Sequence, residues 1–312
     1  MGLPADEFAA ISFARQGIGF RVPAPDMTMR CARPTGQAES IRGNVVMPEQ
    51  NIRYELALAS RMLANEGVLD AFGHVSLRDP RDPGRFLLSR SRSPQLVEAA
   101  DILEYTLDAE PVRATAHRLF AERVIHGCIY AARPDVMAVC HHHAAAVLPF
   151  CVAGVPIVPV FHLGAAVGGA MPFWDQQDEF GDTNLLVAKP EEGRSLARAL
   201  GPHPAVLMRH HGATVVGGDL RELVSRSIFM CQNATYQLQA HMLGKVLPLS
   251  AGETRLAGSL NALPTVVGRT WEYWTHRLAE AGRLPPVARA KSRSAPTRSP
   301  VRGKARRKKR RS

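Results

Sequence analysis

The 312-residue chain has no Gly-rich phosphate loop of either common type, no Ser-centred nucleophile elbow and no internal repeat. Nothing in it therefore supports a phosphate-loop nucleotide enzyme or a serine hydrolase. Its five cysteines, Cys31, Cys128, Cys140, Cys151 and Cys231, form no Cys-x-x-Cys pair and are odd in number. A disulfide scaffold is excluded on that pattern, and a reducing cytoplasm is the natural setting. The N-terminus carries Asp6 and Glu7 and lacks the long apolar core of a secretory signal. No Asp, Glu, Lys or Arg occurs from Ala144 to Trp174, which calls for a membrane test. A spanning helix needs about 20 compatible residues. Pro149, Pro156, Pro159, Gly164, Gly168 and Gly169 break any such helix, so the stretch reads as buried strands and loops. A membrane is excluded as a partner.

Acidic residues are also missing from the C-terminal end. From Arg289 to Arg311 there are 12 Lys and Arg and no Asp or Glu. Setting those 12 aside leaves 27 basic residues against 28 acidic ones, so the net charge of +11 belongs to a tail and not to the folded body. Nucleic-acid contact is expected only through that tail, weakly and with a strong salt dependence. After Pro285-Pro286 the chain is too poor in apolar residues to fold, and residues 285–312 read as a disordered basic tail. Residues 1–46 show no sustained apolar period and read as an irregular extension. Either a disordered arm or a true initiator at Met47 accounts for them. Residues 47–284 are left as one catalytic-size domain, and the 46% hydrophobic content is ample for its core.

Within that domain the spacing predicts a helix over Ile52 to Glu66, with Gly67 fitting its C-cap. Strands are expected over Phe72 to Leu77, Arg85 to Ser89 and Asp101 to Leu107. A helix follows over Ala116 to Ala132, and a strand from Asp135 to Cys140 leads into His141-His142-His143. Glu191 to Leu200 reads as a helix and Ala205 to Met208 as a strand. Leu220 to Leu243 reads as a long helix with Asp219 as N-cap. Strands and helices alternate in an antiparallel-compatible order, which favours a layered α/β domain.

The chemistry concentrates at the ends of two apolar runs. On a strand, side chains alternate, so His141 and His143 project to one face and His142 to the other. A further histidine follows Ala205 to Met208 in Arg209-His210-His211-Gly212. Glu122 and His126, four apart on the expected helix, share a face and bring a carboxylate near. Three His and one Glu suit one divalent transition metal ion per subunit, Mn2+ or Zn2+ and equally Co2+ or Fe2+. Glu122 can serve there as fourth ligand, as proton shuttle, or as each in turn. His162, after Val160-Phe161, is a candidate second proton donor. In Ser89-Arg90-Ser91-Arg92 two arginines sit among hydroxyls just after a strand, either to recognise a carboxylate or as a solvated loop. The acidic run Asp175 to Asp182 lacks the ligand spacing of a calcium loop and reads as a polar connection.

Taken in order, Glu122-x-x-x-His126, Ala132-Arg133-Pro134-Asp135-Val136, His141-x-His143, and Arg209-His210-His211-Gly212 with Gly217 and Glu222 resemble the class II aldolase/adducin family over residues 51–248. The resemblance implies a three-layer α/β/α domain with a mixed, mostly antiparallel central sheet. It implies His141, His143 and His211 as metal ligands, with Glu122 as acid/base or fourth ligand. It also implies a homotetramer with sites near subunit boundaries. Sugar-phosphate aldolases of this family carry Gly-Asn-x-Ser and Thr-Pro-Ser-Gly segments that hold phosphate. Here those stretches are Gly73-His74-Val75-Ser76 and Ser89-Arg90-Ser91-Arg92, and Phe120-Ala121 precedes Glu122. That departure is similar to the decarboxylase branch, whose members act on hydroxylated pyridine or benzene dicarboxylates. The expectation is a metal-dependent lyase that releases CO2 from a small aromatic acid through a metal-stabilised enolate. Arg90, Arg92, Ser89, Ser91 and His74 would bind the substrate. An aldolase of a non-phosphorylated hydroxy-ketone or hydroxy-acid is the alternative, and a non-catalytic adducin-like module a more distant one.

Overall fold

The computed structural model describes residues 49–169 and 171–287. The extension expected over 1–46 and the tail from 288 onward lie outside the described residues. Helix α1 (Glu49–Asn65) buries Leu56, Ala59, Met62 and Leu63 along one stripe and stops before Gly67, whose φ of 73° suits a helix end. Strands β1 (His74–Arg78) and β2 (Arg85–Ser89) form a hairpin through Asp79 to Gly84, and β3 (Ile102–Thr106) pairs next to β2. Helix α2 (Arg123–Ala132) leads into β4 (Ala138–His142). Two short helices, α3 (Leu148–Ala153) and α4 (Gln176–Phe180), flank the two-residue strand β5 (Phe173–Trp174). Then come α5 (Pro190–Leu200), β6 (Ala205–Met208) and β7 (Gly212–Gly217). The long α6 (Leu220–Leu243) follows, then α7 (Ala251–Asn261) and α8 (Pro264–Glu280).

The seven strands order as β3-β2-β1-β4-β7-β6-β5, with every neighbour antiparallel except the β5–β6 pair. This is the mixed, mostly antiparallel sheet that was expected. Strand alternation divides the interior in two. Ala138, Cys140, Val215 and Leu207 join α1, α6 and α8 on one face. Val139, Val206, Met208 and Val216 join α2 and α5 on the other. Helices on both faces make three layers.

Several expectations change. The helix expected from Ala116 begins at Arg123, so Glu122 stands at its N-cap position and not inside it. The reason is a long-range partner: the Arg118 carbonyl, which a helix would offer to the Glu122 N–H, accepts the Ser91 N–H at 2.8 Å. Gly212 to Gly217 forms a strand that the spacing did not predict, so the segment around His211 is the turn of a β6–β7 hairpin. The uncharged stretch from Ala144 is not mainly strand, since it carries α3 and a 3-10 segment, His162–Val167. Among the described residues, no helix is long and apolar enough to cross a membrane.

Two glycines let the neighbouring strands close on the histidine end of β4. A Cβ on Gly73, whose φ is 81°, would lie 2.9 Å from the His141 carbonyl oxygen. A Cβ on Gly212 would lie 2.2 Å from the His142 carbonyl oxygen. Backbone cannot yield as a flexible side chain does, so Gly212→Ala should destabilise by about 1–3 kcal/mol. A urea unfolding midpoint unchanged from wild type would contradict this account of the strand contact.

Candidate metal centre

Strand β4 carries His141 within it and His143 one residue past its end, two apart and therefore on the same face. The β6–β7 turn supplies His211. There His210 takes a left-handed φ of 55°, the His211 N–H donates to the Met208 carbonyl at 3.1 Å, and the His210 N–H donates to the Cys151 carbonyl of α3 at 3.3 Å. Glu122 arrives from the residue before α2, on the same face. The result is a convergence of four groups from three separated parts of the chain. His143 Nε2 lies 3.1 Å from His141 Nε2 and 3.2 Å from His211 Nε2. Glu122 Oε1 is 3.4 Å from His211 Nε2, and Glu122 Oε2 is 3.5 Å from His141 Nε2.

These separations suit a cation. Four ligands at about 2.0–2.1 Å from a tetrahedral centre stand about 3.3–3.4 Å apart. One nitrogen or oxygen from each of the four groups falls within 4.8 Å of every other. Imidazole and carboxylate together accept Zn, Mn, Co or Fe, and donor chemistry does not choose among them.

Supporting contacts orient the ligands. His141 Nδ1 sits 3.2 Å from Thr214 Oγ1, its cross-strand partner on β7. His143 Nδ1 is 4.0 Å from the exposed Asp70 carboxylate. The Val187 N–H donates to Glu122 Oε1 at 3.2 Å, and His74 Nε2 stands 3.9 Å from Glu122 Oε2. Burial pushes the Glu122 pKa up, but His74, His211 and the Val187 N–H outweigh it and hold the carboxyl below its ordinary value. Burial, reinforced by neighbouring imidazoles, holds His141 well below the usual histidine range. His143 and His211 are lowered first by burial as well. Neutral imidazoles beside an ionised carboxylate are the protonation states that metal binding requires.

The other expected residues fall into different places. His142 points to the opposite face, fully buried, where its Nδ1 accepts the Ala144 N–H at 3.3 Å. Arg90 and Arg92 do act as a pair, but on this chain's own buried Asp101: Arg90 Nε lies 2.7 Å from Oδ1 and Arg92 Nη1 2.5 Å from Oδ2. Ser89 is buried at the end of β2, and Ser91 is exposed in the loop that follows. His162 is exposed and its carbonyl accepts from Asn261 Nδ2 at 2.8 Å. Its 3-10 segment packs on α6 and α7, across the sheet from Glu122, so within this protomer the fold does not bring His162 to the cluster. Asp175 caps α4 and pairs with Arg209 at 2.8 Å, which makes the acidic run a polar connection. Thr214 and the Val187 N–H were not anticipated. Thr214 follows His211 by three residues, and only the hairpin brings it beside His141.

Residues 54–238 match the Class II Aldolase and Adducin N-terminal domain. The chain belongs to that family. It is 31% identical over 245 residues to "Decarboxylase tropJ" of Talaromyces stipitatus, covering 71% of this chain and 91% of the relative. It is 31% identical over 247 residues to the 3,4-dihydroxyphthalate decarboxylase of Arthrobacter keyseri, covering 73% and 92%. In fold it is similar to the L-fuculose 1-phosphate aldolase of Glaciozyma antarctica PI12, with a TM-score of 0.63 and 21% identity over 76% of this chain and 93% of that one. Class II aldolases use a divalent metal, and the cluster at Glu122 has the donors for one. The chain is an enzyme of the lyase class.

The buried histidines set a pH limit on the metal-free protein. His126 and His141 are lowered well below their ordinary value, and His142 to about 3, each chiefly by burial. Between those values and the ordinary value of about 6.5 the unfolded chain binds more protons than the folded one, so stability falls as pH drops. Thermal midpoints of metal-free protein should be level above about pH 7 and fall steadily towards pH 5. A midpoint that does not move over that range would contradict the neutral state assigned to these rings.

Proposed function

We propose that this protein is a divalent-metal-dependent decarboxylase of a hydroxylated aromatic dicarboxylate. The observation that carries the reading is the ionised, oriented Glu122 carboxylate held against three neutral imidazoles. The replacement of phosphate-holding residues by His74, Arg90 and Arg92 supports it, as does 31% identity to two decarboxylases. A divalent cation, Mn2+ or Zn2+, held by His141, His143 and His211 with Glu122 as neighbour or fourth ligand, would supply a Lewis acid that draws off the electron pair left by departing CO2.

The chain's own groups do the rest. Glu122 is a carboxylate at rest and 8% exposed, placed to take the ring-hydroxyl proton on one oxygen. It returns that proton to the carbon that lost CO2, which closes the proton balance. Arg90 and Arg92 form the candidate site for the carboxylate that stays, each with part of its guanidinium already committed to Asp101. Ser89 and Ser91 complete the proposed substrate residues, with His74 behind them facing the Glu122 carboxylate at 3.9 Å. We extend the reading to a cytoplasmic homotetramer, with residues 47–284 as the catalytic domain and residues 285–312 as a dispensable tail.

With Mn2+ or Zn2+ present, purified protein should release CO2 from one or more of a small panel of hydroxylated benzene and pyridine dicarboxylates. His143→Ala should lose metal and at least about 100-fold in activity. Deleting residues 288–312 should leave turnover unchanged. An aldehyde product in place of CO2 would identify an aldolase and overturn the decarboxylase reading. Turnover unaffected by His143→Ala would remove the metal from the reaction.

A further inference from the structure

Behind the cluster, a line of short polar contacts runs into the core from His74, which stands 3.9 Å from Glu122. We propose that this line fixes the tautomer of His74, and that His74, His126 and Ser76 are positioning residues for the Glu122 carboxylate. His74 Nδ1 lies 2.7 Å from His126 Nε2. His126 Nδ1 lies 2.6 Å from Ser76 Oγ, and Ser76 Oγ lies 2.7 Å from the Tyr130 hydroxyl. The remaining ring nitrogen of His74, Nε2, faces Glu122 Oε2 at 3.9 Å. His74 is 3% exposed, Tyr130 1%, and His126 and Ser76 not at all.

The line exists because two periodicities match. His74 and Ser76 are two apart on β1, a rise of about 6.6 Å on one face of the sheet. His126 and Tyr130 are four apart on α2, a rise of about 6 Å on one face of the helix. Laid side by side, the two elements bring His126 against both His74 and Ser76, and Tyr130 against Ser76.

A proton count then sets the direction. A neutral imidazole has one N–H, and burial holds His126 well below its ordinary pKa, so it is neutral. With one proton on each ring there are two directions, and in one of them His74 donates through Nδ1 to His126, His126 donates to Ser76, and His74 turns a bare Nε2 towards an ionised carboxylate. Two acceptors would then face each other in a buried place, which is costly. In the other direction Tyr130 donates to Ser76, Ser76 donates to His126 Nδ1, and His126 Nε2–H donates to His74 Nδ1. His74 Nε2–H is then left pointing at Glu122 Oε2. With the Val187 N–H on Oε1, both oxygens of Glu122 have a donor facing them, and the carboxylate is aimed at the imidazoles instead of swinging free. Oriented neighbours of this kind commonly govern the strength of a metal site.

The inference rests on the reading that Glu122 serves the cation site, and two measurements separate the two claims. The first is the nitrogen NMR of 15N-histidine-labelled, metal-free wild type, with His74 and His126 assigned by their loss in single variants. Both should carry the proton on Nε2 with Nδ1 bare, and a proton on Nδ1 of either overturns the inference. The second is Mn2+ affinity. Ser76→Ala, which adds no volume to a full site, should weaken Mn2+ by about 10-fold with little change in thermal midpoint. Ser76→Thr, where it folds, should recover the affinity because the hydroxyl is back. Ser76→Ala binding within twofold of wild type overturns the inference. Wild type that fails to bind Mn2+ refutes the cation reading instead, and the tautomer measurement alone then decides the relay.

Discussion

Three imidazole nitrogens separated by 3.1 and 3.2 Å converge on a common point, an arrangement free side chains have no reason to adopt. The sheet imposes it. His141 is fixed by pairing to β1 on one side and β7 on the other, with His74 and Thr214 as its direct cross-strand partners. His143 follows from the same strand, and the three-residue turn after β6 returns His211 to the same place. Glu122 is the only one of the four that comes from outside β4, the β6–β7 turn and their immediate ends, and it completes the set from the helix layer that covers that face.

The same strand shows how the protein keeps chemistry and packing apart. His141 faces the α2 and α5 side, and His142 faces the α1, α6 and α8 side. Both are fully buried and both are neutral, yet only one meets a carboxylate. A slip of one residue in the β4 register would exchange them and dismantle the site. The glycines at 73 and 212 matter for this reason. They allow the flanking strands to approach the β4 backbone closely enough to hold the register at the end where pairing would otherwise fray.

Much of this was legible in the sequence, because histidines two apart at the end of a β-branched run leave few alternatives. The boundaries of β2, β6 and α6 follow directly from periodicity and capping, with Asp219 accepting from Glu222 as an N-cap should. Long-range competition was not legible. The start of α2 depends on a hydrogen bond from Ser91, and helical spacing before Glu122 carries no trace of that partner. Arg90 and Arg92 looked open for a ligand because Asp101 is nine or more residues further along and its side chain turns back on them. The placement of His162 was hidden for a similar reason. An apolar, uncharged stretch reads as near the site in sequence, but its 3-10 segment crosses to the other face. Strand β7 was hidden by its glycines, and its Thr214 with it.

The backbone at Glu122 is left with one further implication. Its φ of −83° and ψ of 13° lie outside regular helix, and its side chain makes no cap hydrogen bond to α2. A carboxylate mounted inside a helix can reorient only by its own rotamers, since moving the backbone would cost a turn of structure. One mounted on the threshold takes its direction from outside the helix, here from the Val187 N–H and the His74 ring that face its two oxygens.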